Sequence, residues 1–138
     1  MLLRKIGVTK TTMIGKMNNL FQDLFVSQAI NQDRLLKKGV YDRYKDEHTV
    51  TVPVDDVGLA SYHIQQLMSE IGEVLEADKR WKSHRNDKYN RGQKLEEIAD
   101  CFIVLMNIAM FSGFCGAELE MAIVEKLHEV SERIESKQ

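Results

Sequence analysis

Lys94-Leu-Glu-Glu97-Ile-Ala-Asp100-Cys-Phe-Ile-Val-Leu-Met-Asn107-Ile-Ala-Met-Phe111 is the stretch that decides the fold. From Ile98 to Phe111 only Asp100 and Asn107 interrupt a run of apolar side chains, and no Pro or Gly breaks it. The spacing predicts a helix from near Gln93 to Phe111, stopped by Ser112-Gly113. Apolar residues on every side of a helix imply burial all round. At 14 residues the run is too short to span a bilayer. A buried carboxylate without a partner is costly, so Asp100 demands a counter-ion or a proton, and Asn107 demands hydrogen bonds. Seven residues make two turns, which puts Asn107 on the stripe of Asp100, about 10.5 Å further along. Glu97, three residues before Asp100, shares that face.

Working outward, three more helices are expected. Met13, Met17, Leu20, Phe21 and Leu24 mark one helical face, continuing to Lys38 with Gly39 as the stop. Residues 40–54 lose the period. Thr49-Val-Thr-Val-Pro-Val alternates like a strand, but Pro53 and the lack of a partner strand favour an extended arm. Asp55 or Asp56 then offers an N-cap for a helix through Leu59, Tyr62, Gln66, Leu67, Glu70, Ile71 and Val74, running to about Lys82. Asn86 to Gly92 is polar and reads as a loop. Leu119, Ile123, Leu127, Val130 and Ile134 form the stripe of a last helix. The expected fold class is all-α, a four-helix bundle preceded by a short N-terminal segment, as one domain over 1–138. Residues 1–58 supply the first helix and the arm, and 59–138 the motif-bearing helices.

Composition narrows the function. The 138 residues, 43% hydrophobic and 29% charged, suit one ordinary globular domain. A formal net charge of −2 argues against a dedicated duplex nucleic-acid binder. The start Met1-Leu-Leu-Arg-Lys-Ile lacks an apolar run and is not a secretory signal. Cys101 and Cys115 have neither zinc spacing nor a second pair, and read as reduced thiols of a cytoplasmic protein.

The chemistry lies in two acidic pairs. Glu70 and Glu73 stand three apart on the second helix, and Glu97 and Asp100 three apart on the third. Two helices joined by a short loop lie antiparallel, so the pairs meet at similar heights. Four converging carboxylates repel unless a cation joins them. Oxygen-only ligands point to Mg²⁺, with Mn²⁺ as the alternative. From Asp78 to Lys94, between the pairs, lie Lys79, Arg80, Lys82, Arg85, Lys88, Arg91 and Lys94, against only Asp78 and Asp87. An anionic metal site beside a cationic loop suits a polyphosphate substrate. Other features are weaker. Glu125-x-x-His128 has di-iron spacing, but that architecture needs two such motifs. His63 and His84 have no Cys or His at ligand spacing, and no glycine-rich phosphate loop of the Walker type is present.

Glu70-Ile-Gly-Glu73, then Lys94-Leu-Glu-Glu-Ile-Ala-Asp100 and Asn107, resembles the MazG-type members of the all-α nucleoside triphosphate pyrophosphohydrolase superfamily. The resemblance covers roughly Leu59 to Ile134. It implies Mg²⁺-dependent cleavage of a nucleoside triphosphate between its α and β phosphates, giving a monophosphate and pyrophosphate. Glu70, Glu73, Glu97 and Asp100 would then be catalytic metal ligands, with one of them or Glu96 activating the attacking water. Asn107 would reach the nucleotide, and Lys126 the phosphates, although the Arg expected four residues later is Val130. Lys79-Arg-Trp-Lys82 is similar to the aromatic-Lys pair that follows ExxE in the related dimeric dUTPases, which assigns Lys79 and Lys82 to the substrate. The His of that branch is Ile103 here, and the frequent Glu before ExxE is Ser69, so the MazG-like reading is favoured. The resemblance also implies a homodimer or homotetramer. Two alternatives use the same residues: a dUTPase- or dCTPase-like member of the superfamily, and a non-catalytic helical interaction protein holding a structural ion.

Overall fold

The computed structural model describes residues 10–45, 51–82 and 89–137, with side chains in the first helix described from Leu20 onward. Among them are four α-helices, α1 (Lys10–Lys37), α2 (Val57–Ala77), α3 (Arg91–Met110) and α4 (Gly116–Ser136), and a 3₁₀ turn over Lys79–Trp81. There is no strand among the described residues, only an isolated antiparallel bridge between Asp55 and Ser112. The fold is therefore all-helical, as the spacing predicts. No helix among the described residues is long and apolar enough to cross a membrane. The chain divides into two compact units, Gln28–Phe114 and Met1–Ser27 with Cys115–Gln138.

In the unit Gln28–Phe114, α2 packs along α3. Leu59, Met110 and Phe111 are buried with Leu36 and Tyr41. α1 ends where the sequence places its stop. Gly39 takes φ +72°, a region that penalises any Cβ, so Val40 N–H can reach Leu35 O at 3.2 Å and Gly39 N–H Leu36 O at 3.1 Å. The following turn is held by Tyr41, whose hydroxyl donates to Gln32 Oε1 at 2.6 Å.

The arm before α2 has a partner, contrary to the expectation from its sequence. Val54 N–H donates to Met110 O and Asp56 N–H to Phe111 O, both at 2.8 Å. A residue pair at the end of α3 supplies what a strand would have supplied. Residues 46–50 lie outside the described residues, so the alternating stretch is described only from Thr51. Asp56 rather than Asp55 caps α2, its carboxylate accepting from Leu59 N–H at 3.0 Å.

Two boundaries shift for local reasons. α2 stops at Ala77, short of Lys82, because Asp78 turns extended (φ −140°, ψ 99°) and its carboxylate accepts from Arg80 N–H, starting the 3₁₀ turn. α3 begins at Arg91, before Gln93, because Asn90 Oδ1 accepts from Gln93 N–H at 3.2 Å. Arg91 and Gly92 are therefore helical, and residues 86–88 of the expected loop lie outside the described residues.

Burial all round α3 is not what the chain achieves. Val104, Asn107, Ala109 and Met110 are buried, but Phe102 is 64% exposed, and Leu95, Ile98, Ile103 and Leu105 are exposed too. Asp100 is also exposed, so the burden of a desolvated carboxylate passes to Glu97. α2 covers one side of an apolar cylinder. The rest of that cylinder faces solvent.

In the other unit, Phe25 is buried against Gly116, where a Cβ would lie 3.0 Å from Phe25 Cβ. Gln22 Nε2 donates to Glu120 Oε2 at 2.9 Å. The expected stripe of α4 is helical as read, with Ile123, Leu127, Val130 and Ile134 exposed.

Gly58 shows how tightly the turn after α1 seats on α2. A Cβ there would collide with the carbonyl oxygen of Tyr44, which is backbone and cannot rotate aside. Gly58→Ala is expected to lower stability by about 1–3 kcal/mol, the usual range for overpacking. Urea unfolding of the variant and of Gly72→Ala, where a Cβ meets nothing within 4 Å, checks this: Gly72→Ala should be neutral or stabilising.

Candidate metal centre

The antiparallel pairing of α2 and α3 follows one register. Moving back along α2 from Glu73 to Glu70 to His63 matches moving forward along α3 from Glu97 to Asp100 to Asn107, by three residues and then seven. Each step keeps a residue on the facing stripe. The four acidic residues singled out from sequence are thereby brought to one level.

Glu70, Glu97 and Asp100 each offer a carboxylate oxygen, and these oxygens lie within 4.8 Å of one another. Glu73 completes the group by hydrogen-bonding to both Glu70 and Glu97. Two carboxyl groups can share such a bond only through a proton. That shared bond holds Glu97 above the usual carboxylate range, with desolvation and the charges of Glu73, Asp100 and Glu70 adding to it. Desolvation first, then Glu73 and Asp100, raises Glu70 in the same sense. The Cys101 thiol beside them is also pushed up, by desolvation and then by Glu70, Asp100 and Glu97.

Glu97 Oε2 is buried and has no hydrogen-bond partner. An orphaned buried carboxylate oxygen inside an all-oxygen set is chemistry that a hard divalent cation fits, because it neutralises several carboxylates at once. No nitrogen or sulfur donor sits in the group of three that would redirect it toward zinc.

The basic segment is arranged differently from a row of free cations. Asp78, 7% exposed on its side chain, receives Arg80 Nε at 2.8 Å, Arg80 Nη2 at 2.7 Å and Lys94 Nζ at 2.7 Å. These bonds hold its carboxylate far below the usual range. The Arg80 guanidinium also lies 3.5 Å from the centroid of Tyr89. Arg80 and Lys94 thus fasten the end of α2 to the start of α3. Lys79 Nζ pairs with Glu76 Oε2 at 3.3 Å, and Lys82 Nζ stands 5.3 Å from the Trp81 ring. Trp81 itself anchors the helix end, its Nε1–H donating to Leu75 O at 3.3 Å. Arg85 and Lys88 lie outside the described residues.

Asn107, two turns from Asp100, is buried and already bonded. Gln28 Nε2 donates to its Oδ1 at 2.9 Å, and its Nδ2 faces His63 Nδ1 at 3.5 Å. Lys126 belongs to the other unit, where its Nζ bonds Glu129 Oε2 at 2.9 Å. His128 is a surface residue beside Glu132, as its isolated ExxH spacing implies.

No protein-family model matches the chain, and no curated protein or solved structure does. The reading of this site therefore rests on its own geometry. Sequence reasoning did not single out His63, Gln28 or the clasp role of Asp78. The signal for His63 was present in the register, since it stands as far before Glu70 as Asn107 stands after Asp100.

The raised Glu70 and Glu97 carboxyls set a pH dependence. Raised carboxyl groups in the folded chain contribute stability that is fully present below the ordinary carboxylate pKa. That contribution is lost as pH rises through their folded values. A cation removes the repulsion responsible, so Mg²⁺ or Mn²⁺ should raise Tm at neutral pH, with an added stability of about 2.7 kcal/mol at a hundredfold excess over Kd. The gain should shrink toward about pH 4–5, where the carboxyls take up protons instead. Thermal melts with and without each cation across that range check it; a Tm indifferent to both cations at neutral pH would count against the site.

Proposed function

We propose that the chain is a nucleoside triphosphate pyrophosphohydrolase of the MazG-like kind. It would cleave the α–β anhydride bond of an NTP or dNTP with Mg²⁺, or Mn²⁺, to release a nucleoside monophosphate and pyrophosphate. The observation that carries this reading is the convergence of Glu70, Glu97 and Asp100 within 4.8 Å, with Glu73 hydrogen-bonded into the same set. This is the ExxE and ExxD combination of that superfamily, drawn together on facing helices.

Glu70, Glu73, Glu97 and Asp100 would hold the cation. When bound, it supplies neutralisation of the polyphosphate charge and electrophilic assistance to the leaving pyrophosphate. The remaining work falls to the chain. One of these carboxylates, or Glu96 beside them, takes the proton of the attacking water. α2 and α3 hold these groups on rigid helices, which preserves their separation through the reaction.

Substrate phosphates need cations that are not already committed. Among the described residues, Arg80 and Lys94 are held by Asp78 and Lys79 pairs with Glu76, so Lys82 is the phosphate-facing candidate of first choice and Lys79 the second. The exposed apolar residues Ile64, Met68, Ile71 and Leu75 on α2, with Leu95, Phe102 and Leu105 on α3, support the homodimer or homotetramer of this reading. Two free thiols, Cys101 and Cys115, suit a cytoplasmic setting.

The experiment is pyrophosphate release from a panel of canonical and modified NTPs and dNTPs in the presence of Mg²⁺. Release from at least one is expected. Glu73→Gln and Asp100→Asn each keep shape and remove charge. Each should lower kcat by roughly a hundredfold or more, an order typical of losing a group that acts in the transition state, while circular dichroism stays helical. No release from the whole panel, or both variants within a few-fold of the parent, would overturn the reading. Lys82→Ala should raise KM by about three- to tenfold with kcat retained, since a cation near phosphates binds ground and transition states alike.

A further inference from the structure

Carboxyl groups gathered at one level push α2 and α3 apart, and a small hard cation tolerates little variation in their spacing. Mg²⁺ takes oxygen ligands at about 2.0–2.1 Å in a near-octahedral array, so a small displacement of one helix costs affinity. The cluster is more than a row of acids, since Glu97 Oε2 is buried among them without a hydrogen-bond partner. Its spacing has to be held against its own charge, and the residues that hold it need not be ligands.

Asp78 closes the hairpin just beyond this level. Its carboxylate, 7% exposed, receives Lys94 Nζ from α3 at 2.7 Å. The same carboxylate is fixed from its own side by Arg80, through Nε at 2.8 Å, Nη2 at 2.7 Å and the backbone N–H at 3.2 Å. Arg80 in turn lies 3.5 Å from the centroid of Tyr89, and Trp81 ties the turn back to Leu75 O. Charge-assisted bonds of this length to a buried carboxylate make a stiff anchor. Lys94 stands three residues before Glu97, about 4.5 Å along α3. The other fastening of this hairpin is distant, because Val54 and Asp56 bond Met110 and Phe111, about 15 Å beyond Asp100.

We infer that Asp78 and Lys94 are positioning residues of the metal centre, setting the cation affinity of Glu70, Glu73, Glu97 and Asp100 by holding α2 and α3 at one separation and register. This inference rests on the proposed metal chemistry of those carboxylates. Its sign is opposite to that of charge alone. Lys94 is itself a cation one turn from Glu97, so by Coulomb's law its removal would strengthen the binding of another cation. As a positioning residue, its removal weakens that binding.

The test is titration of the metal-free full chain with Mn²⁺, the free ion being read by its electron paramagnetic resonance signal, at a temperature where circular dichroism shows every variant folded. Lys94→Met, at a side chain 34% exposed, keeps the apolar stem and removes the charge. It is expected to weaken Mn²⁺ binding about tenfold, the lower end of what supporting groups contribute to metal sites. Lys94→Arg keeps a cation for Asp78 and should stay within about threefold of the parent. Gly58→Ala loses stability at the far end of α2 without touching the clasp, and should bind Mn²⁺ as the parent does. Lys94→Met binding as tightly as the parent, or more tightly, overturns the inference, and so does an equal weakening in Gly58→Ala. A parent chain that binds no Mn²⁺ refutes the metal centre itself, and the proposed function and this inference fall with it.

Discussion

The antiparallel register of α2 against α3 is the constraint on which the rest depends. It is fastened at one end by Asp78, which holds Arg80 from its own turn and Lys94 from the facing helix. It is fastened at the other by the backbone bonds from Val54 and Asp56 to Met110 and Phe111. Between these clasps, polar residues meet in order: Glu73 with Glu97, Glu70 with Asp100, His63 with Asn107. A slip of one residue would turn each of these side chains by about 100° away from its partner. The cluster is then a consequence of helix pairing, and its mutual repulsion is borne by contacts elsewhere in the hairpin.

Much of this was legible in the sequence because it depends on helical period alone. The i, i+3 spacing of Glu70/Glu73 and Glu97/Asp100 defines two faces, and the short connection between the helices brings those faces to equal heights. Gly39 and Gly113, both at positive φ, end their helices where the apolar period stops. Asp56 caps α2 through a side-chain bond three residues ahead, which is again a local rule. What the sequence does not name is a partner distant in the chain. Asn107 is buried and hydrogen-bonded, as its place in the apolar run demands, and the partner is Gln28, 79 residues earlier. No spacing rule could supply that pairing.

A second failure was quantitative in kind. Seven basic residues between the acidic pairs look like a cationic surface when counted. Asp78 alone engages two of them, through bonds of 2.7 and 2.8 Å, and Glu76 pairs with a third. Among the described residues, fewer of these cations are left for a polyphosphate than the count implies. The apolar run of α3 misled in the opposite direction. Its composition demands cover on every side, but one facing helix covers only one side, and Phe102 and Leu105 remain in solvent. Composition states the requirement for burial and not which chain satisfies it.

Among the described residues, two buried polar side-chain atoms of this hairpin are unmatched, Glu97 Oε2 and His63 Nε2. One is a carboxylate oxygen and the other an imidazole nitrogen, and they lie at the first and third levels of the same pairing. Native folds tolerate few such atoms, because each costs desolvation without return. The acidic orphan sits among carboxylates and the histidine among aromatic rings. At both levels the hairpin leaves desolvation unrepaid by its own groups, which is the cost of holding this register.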